Sequence, residues 1–328
     1  MRELLSLLCQ YPYDGATRRA LSNLIGKVQD WHSIIKLINA HGIIALAAYN
    51  LKESGLEKEI PGDSMAILEN GYMQSVIRNV WLTERWKEVN AILSDAGIKH
   101  ILLKGMALEH TLYGARGLRQ MNDNDILVKR EDSIKAWLLL QQNGFKPEPL
   151  KSPLFRKIMF DVGRHLPVLY KNGYAIEIHV KLFDRQVITG KVSHEPFVDT
   201  VEILIGDKKT LILSRELQLM HLKNHFEHHK ISGDCQLRLY TDIMLLDKNS
   251  KIEIPDRFIS DPMQGNKKEF RKAAYKARIS SIPAKNRLWF ILGDTFPSLK
   301  WMKERYGCNG FKALLRYPVR LGKLGWLI

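Results

Sequence analysis

The sequence predicts an α+β protein, with a mixed α/β middle third between helical flanks. Two observations predict it. Apolar residues recur at helical spacing before residue 98 and again after Ser214. Between those stretches the pattern changes to short apolar runs closed by turn residues, most clearly 166–170 and 174–180 around Asn172-Gly173. The chain divides accordingly into a helical region at 1–97, an α/β core at 98–213 and a helical region with a basic tail at 214–328.

In the first region, Trp31, Ile34, Ile35 and Ile38 repeat at helical spacing, and Gly42 marks a break before a second helix. The polar stretch 53–63, with its Gly and Pro, is a loop. Residues 64–96 read as one long helix, capped at Gly97. The run His100-Ile-Leu-Leu-Lys-Gly suits a buried strand entering a turn, followed by a helix at 106–112. A second strand covers 123–129, and a helix with an acidic start covers 131–143 before Gly144. Ser214 is the N-cap candidate where helices return. Residues 250–283 read as polar loops plus a basic helix at 266–277.

Composition limits what the chain can do. With 328 residues it has room for two domains, or one with a large elaboration. Apolar residues at 45% and charged residues at 26% exclude disorder, collagen and a coiled-coil rod as descriptions of the whole. Fifty Lys and Arg against 35 acidic residues leave a net charge of +15, which attracts polyanions and implies an anionic partner through a basic surface. Cys9, Cys235 and Cys308 are too scattered for a disulfide framework, so a reducing compartment is expected. The first apolar run is broken early by Gln10 and Pro12, and no 18-residue apolar run follows. The expected location is therefore cytoplasmic, with no membrane span.

One constellation carries chemistry. Asp123 and Asp125 open a strand one residue apart, so they share a face while Ile126 and Val128 take the other. Two carboxylates at such spacing repel unless a cation lies between them, which suits a divalent metal. Glu177 and His179 project together from a second strand, opposite Ile176 and Ile178. Upstream, Lys104-Gly105 closes a strand and opens a helix, a place where backbone N–H groups can hold phosphate and Lys104 can add a point charge. Arg116 and Arg119 lie between turn and acids. An Asp-x-Asp pair alone is more often a surface turn, and an EF-hand fails because Leu127 occupies the fifth loop position. His179 can line the sheet, orient Glu177 or touch substrate. His221, His225 and His228 fall on one helical face, where solvated or packed histidines are the simpler reading than zinc. Arg238 and Asp242 can pair as i, i+4 neighbours.

Leu102-Leu-Lys-Gly-Met-Ala-Leu108, Leu112-Tyr113, Gly117-Leu-Arg-Gln-Met-Asn-Asp-Asn-Asp-Ile-Leu-Val128 and Glu177-Ile-His179 together resemble the bacterial uncharacterised nucleotidyltransferase family. That family belongs to the DNA polymerase β-type nucleotidyltransferase superfamily. Asp30-Trp31, Ala40-His-Gly42, His221-Leu-Lys-Asn-His225, Leu237-Arg-Leu-Tyr-Thr-Asp-Ile243, Phe296-Pro-Ser298 and Arg305-Tyr306 extend the resemblance to the flanks, most weakly over 250–285. It implies a small mixed sheet carrying three acids inside a helical scaffold. It implies Mg²⁺ (or Mn²⁺) held by Asp123, Asp125 and Glu177, and a nucleoside triphosphate as substrate. Lys104, Gly105 and Arg119 would lie on the phosphate side, with His179 beside the acids, and His221 and His225 would face the nucleotide. The usual Gly-Ser or Gly-Gly turn is replaced by Lys104-Gly105-Met106, which removes the hydroxyl contact. The expected reaction moves a nucleoside monophosphate to an acceptor hydroxyl and releases pyrophosphate. The acceptor is a small molecule, a protein side chain or an RNA end. The rival expectations are a catalytically silent nucleotide- or nucleic-acid-binding protein and a toxin/antitoxin-type partner.

Overall fold

A computed structural model of the protein describes residues 1–12, 14–161, 163–183, 195–250 and 252–324. About 59% of it is helical and its strands form a single seven-stranded mixed sheet, so the α+β expectation holds. The amino-terminal helices are α1 (Arg2–Leu8), α2 (Gly15–Ile25), α3 (Trp31–Ala40), α4 (Ile44–Glu53) and the 34-residue α5 (Gly62–Asp95). The mixed region runs β1 (His100–Leu103), α6 (Lys104–Thr111), β2 (Asp123–Val128), α7 (Arg130–Gln142), β3 (Lys146–Pro147), α8 (Leu154–Asp161), β4 (Leu169–Lys171), β5 (Tyr174–His179), β6 (Thr200–Ile205) and β7 (Lys208–Leu213). Helices then follow: α9 (Arg215–Ser232), α10 (Leu237–Leu246), α11 (Asp256–Ser260), α12 (Lys268–Ser281), α13 (Ala284–Thr295), α14 (Leu299–Tyr306), α15 (Phe311–Leu314) and α16 (Arg316–Leu324). The sheet order is β3-β4-β5-β2-β1-β7-β6.

The backbone falls into two compact units, each made of several stretches of chain. The first is Met1–Asn90, Ile101–Asn124 and His194–Gly265; the second is Ala91–His100, Asp125–Ser193 and Asn266–Ile328.

In the first unit, α5 buries Leu68, Leu82, Trp86 and Val89 completely. Its polar side chains hold backbone elsewhere: Asn79 Nδ2 donates to the Arg119 carbonyl and Asn90 Nδ2 to the Lys209 carbonyl, each at 3.0 Å. Gly117 (φ +75°) approaches so closely that a Cβ there would lie 2.7 Å from the Val76 Cα, a place no other residue fits. Strand β7 pairs parallel with β1 and antiparallel with β6. The β6–β7 hairpin was not foreseen as such, although its two-residue Gly206-Asp207 turn is a standard hairpin signal. The Ser214 hydroxyl accepts from the Leu217 N–H, as its expected cap role requires.

In the second unit, Asn172 (φ +51°) and Gly173 (φ +80°) make the tight turn between β4 and β5 that the pair forecast. Leu169, Tyr174, Ile176 and Ile178 are buried against the core. A second cluster packs Phe155, Ile158, Ile282 and Phe290, with the two phenylalanine rings stacked at 5.3 Å. The basic helix expected at 266–277 is α12 and continues to Ser281, where Pro283 ends it.

Candidate active site

Hairpin β4–β5 sets the first arrangement, wholly within the second unit. Alternation along β5 sends Ile176 and Ile178 inward and Glu177 and His179 to the opposite face. His179 is completely buried, and its Nε2 lies 2.7 Å from Asp125 Oδ1 on β2 and 3.0 Å from Glu177 Oε2. His165 Nδ1 lies 2.9 Å from Glu177 Oε1. A single imidazole edge thus bridges two carboxylates and a second one braces the glutamate. Burial opposes charge on Glu177, but the hydrogen bonds and charges of His165 and His179 outweigh it and hold the carboxyl far below its ordinary range. Burial likewise opposes charge on His165, and the Glu177 carboxylate overrides it, raising the imidazole. Among the described residues, one group of three or more His, Cys, Asp or Glu side chains has ligand atoms within 4.8 Å of one another: Asp125, Glu177 and His179.

Among the described residues, His179 Nδ1 is buried without a hydrogen-bond partner. The donor set, two carboxylates and an imidazole at one point, fits a divalent cation. Of the expected acids, Asp125 and Glu177 are brought together, joined by His179. Asp123 is exposed at the first residue of β2 and is not a member of that group.

His165 escaped the sequence reading for a reason of register. The two-residue turn pairs Leu169 with Ile176, a register that would set His165 opposite Val180. Instead His165 bridges His179, so one extra residue lies on its side of the ladder, beside Pro167, which has no N–H to donate.

The second arrangement lies wholly within the first unit. Lys104 begins α6 with φ +47°, a left-handed conformation rare outside glycine and a sign of a constrained turn. Gly105 is buried, and a Cβ there would sit 2.8 Å from Arg119 Nη1. Arg119, expected on the phosphate side, is itself buried and directs Nε and Nη2 at Asp242, the shortest contact being 2.7 Å. Tyr113 Oη donates to the same carboxylate at 2.8 Å. Burial disfavours the Arg119 charge, yet Asp242 more than compensates and raises it. Burial, with the Asp242 charge, pushes the Tyr113 phenol well up. The Glu109 carboxylate accepts the N–H groups of Gly117 and Arg119, which fixes the loop before β2.

Asp242 pairs with Arg119 rather than with its helix neighbour. Arg238 instead donates Nη1 to the Gln120 carbonyl at 2.6 Å and Nη2 to Gln236 Oε1 at 2.9 Å. Burial, joined by the Arg119 charge, lowers Arg238 to about 10. On α9 the His221 and His225 rings stack at 6.3 Å, His225 and His229 meet edge-on at 4.3 Å, and His228 lies edge-on to His229 at 6.2 Å, so His229 joins the expected set. Helical spacing of i, i+4, i+8 could have found His229.

The sequence matches the family described as uncharacterised nucleotidyltransferase over residues 27–261. No curated protein and no solved structure matches it.

Proposed function

This chain belongs to the uncharacterised nucleotidyltransferase family, and from that premise we propose that it moves a nucleoside monophosphate from a nucleoside triphosphate to an acceptor hydroxyl. The acceptor oxygen forms a bond to the α-phosphorus, the α–β bridging bond breaks, and pyrophosphate leaves. The observation that carries this reading is the meeting of Asp125 and Glu177, from two strands, within 4.8 Å and with His179 between them.

Asp125 and Glu177 would hold Mg²⁺ or Mn²⁺ through hard oxygen donors, and the family resemblance adds Asp123 to that set. When bound, such a cation neutralises phosphate charge and orients the triphosphate. His165 and His179 keep Glu177 ionised, which suits it as a ligand, and the same carboxylate can help to draw the proton from the acceptor hydroxyl. His179 also orients both carboxylates. Lys104 supplies a point charge toward the triphosphate, and the first N–H groups of α6 supply donors. Arg119 is a positioning residue in this scheme, because Asp242 engages its guanidinium. Asp123 standing outside the close group favours a second reading, a nucleotide binder that has lost turnover.

Purified protein with Mg²⁺, each α-labelled nucleoside triphosphate and fractionated cell extract tests both. Label appearing in a small-molecule, protein or RNA fraction, together with pyrophosphate, supports transfer and names the acceptor class. Thermal stabilisation by nucleotide, without label transfer to any fraction, supports the silent binder.

A further inference from the structure

The net charge is not spread along the chain. Residues 266–328 hold 15 Lys and Arg against Glu269, Asp294 and Glu304, which is +12 of the total +15. The family match ends at residue 261, so this excess lies outside it. The last two helices contribute four of these cations, Lys312, Arg316, Arg320 and Lys323, and their described residues form an unusual surface. Helices α15 and α16 are joined through Leu315 alone, which is itself in the helical region (φ −66°, ψ −9°). Along them, the arginine goes in and the apolar residues come out. Arg320 donates to the Asp294 carbonyl at 2.6 Å, stacks 4.9 Å from the Trp301 ring and is 11% exposed. Phe311 is 72% exposed, Leu315 59% and Val319 44%, at i, i+4, i+8 spacing, with Leu314 at 46% and Leu321 at 41% beside them. Lys312 and Arg316, one position along from Phe311 and Leu315, are exposed too.

We propose that this apolar stripe, flanked by Lys312 and Arg316, docks the protein on an anionic phospholipid surface. Apolar side chains beside basic ones are what an interfacial helix needs: the first enter the acyl boundary and the second meet the headgroups. The exposed stripe is mainly aliphatic. Nucleic acid would be served by successive aromatic faces on which bases stack, and the stripe offers one, Phe311, among four aliphatic side chains. A second copy of the chain on this stripe would bring Lys312 and Arg316 against their equals, which repel. No helix among the described residues is long and apolar enough to cross a membrane, so the contact is peripheral.

The test is sedimentation of the full chain with vesicles of phosphatidylglycerol and phosphatidylcholine, or of phosphatidylcholine alone, beside a single-stranded RNA binding assay. Binding to the mixed vesicles should exceed binding to the neutral ones by roughly tenfold or more and weaken with salt. K312E/R316E should weaken it by about 30-fold or more, and F311S/L315S by at least about tenfold. All four positions are exposed, so both variants should melt like the wild type. Equal binding to both vesicle types, or undiminished binding by F311S/L315S, overturns the proposal. So does RNA binding shared equally by wild type and F311S/L315S with no vesicle binding, or a concentration-dependent dimer that F311S/L315S abolishes.

Discussion

Two buried ionic clusters, one in each compact unit, are built on opposite principles. Around Arg119 in the first unit, charge is matched and geometry is saturated: the guanidinium takes Asp242 with two nitrogens, and Tyr113 completes that carboxylate. Around His179 in the second unit, two carboxylates compete for one N–H, and the other ring nitrogen is buried without a hydrogen bond among the described residues. A saturated buried pair holds a loop in place; an unsaturated one keeps capacity for a ligand. The difference teaches that burial of charge alone does not mark a ligand site; what the proposed site adds is carboxylates that converge from two strands.

The largest expected effect breaks the first cluster. Arg119→Ala leaves Asp242 buried without its cation and should cost about 3–5 kcal/mol of stability, read by urea unfolding. If the variant unfolds at the wild-type midpoint, the cluster is not structural. Next comes the second cluster. Asp125→Ala should reduce pyrophosphate release by roughly 10²–10³-fold. Its melting temperature without metal should stay near the wild type, because His179 Nε2 keeps Glu177 as acceptor at 3.0 Å. Turnover like the wild type would remove Asp125 from the chemistry. A smaller effect separates the partners of Asp242: Tyr113→Phe deletes one donor and retains the ion pair, so about 1 kcal/mol is expected in the same urea measurement.

The smallest effect concerns the thiols. Burial pushes Cys9 up to about 11 and Cys235 up to about 12, from an ordinary 9.0. At pH 8 a thiol at 11 is ionised to about one part in a thousand, so a disulfide reagent should modify the partly exposed Cys308 first. Rapid modification of more than one thiol would show that the first unit opens readily. Both folded values lie above the unfolded one. The stability they contribute is therefore complete below pH 9 and is lost as pH rises through about 11 and 12. Melting curves from pH 8 to 11 should fall, and less steeply for Cys9→Ala.

Much of this was legible in the chain itself. Asn172-Gly173, the alternation in 174–180 and the Gly97 stop are local signals, and each led to the observed element. The pairing of Asp125 with Glu177 followed from period-two geometry plus a cation argument. What escaped depends on distance or on register. Arg119 and Asp242 are 123 residues apart, and no local pattern links them. His165 reaches Glu177 through an irregularity beside Pro167 that a regular ladder hides. The β6–β7 hairpin had its turn signal, but β6 is largely exposed, with Val201 at 47% and Leu204 at 66%, so its alternation is blurred.

The left-handed backbone at Lys104 has a consequence for anyone who would redesign this turn. Exchanging the two residues, as in K104G/G105K, keeps composition and total charge the same but moves the cation by one position, and a Cβ at 105 would lie 2.8 Å from Arg119 Nη1, so that guanidinium would have to shift. The cation's address in the chain is thus set by the side chains of Arg119 and Met121 packed against its neighbour.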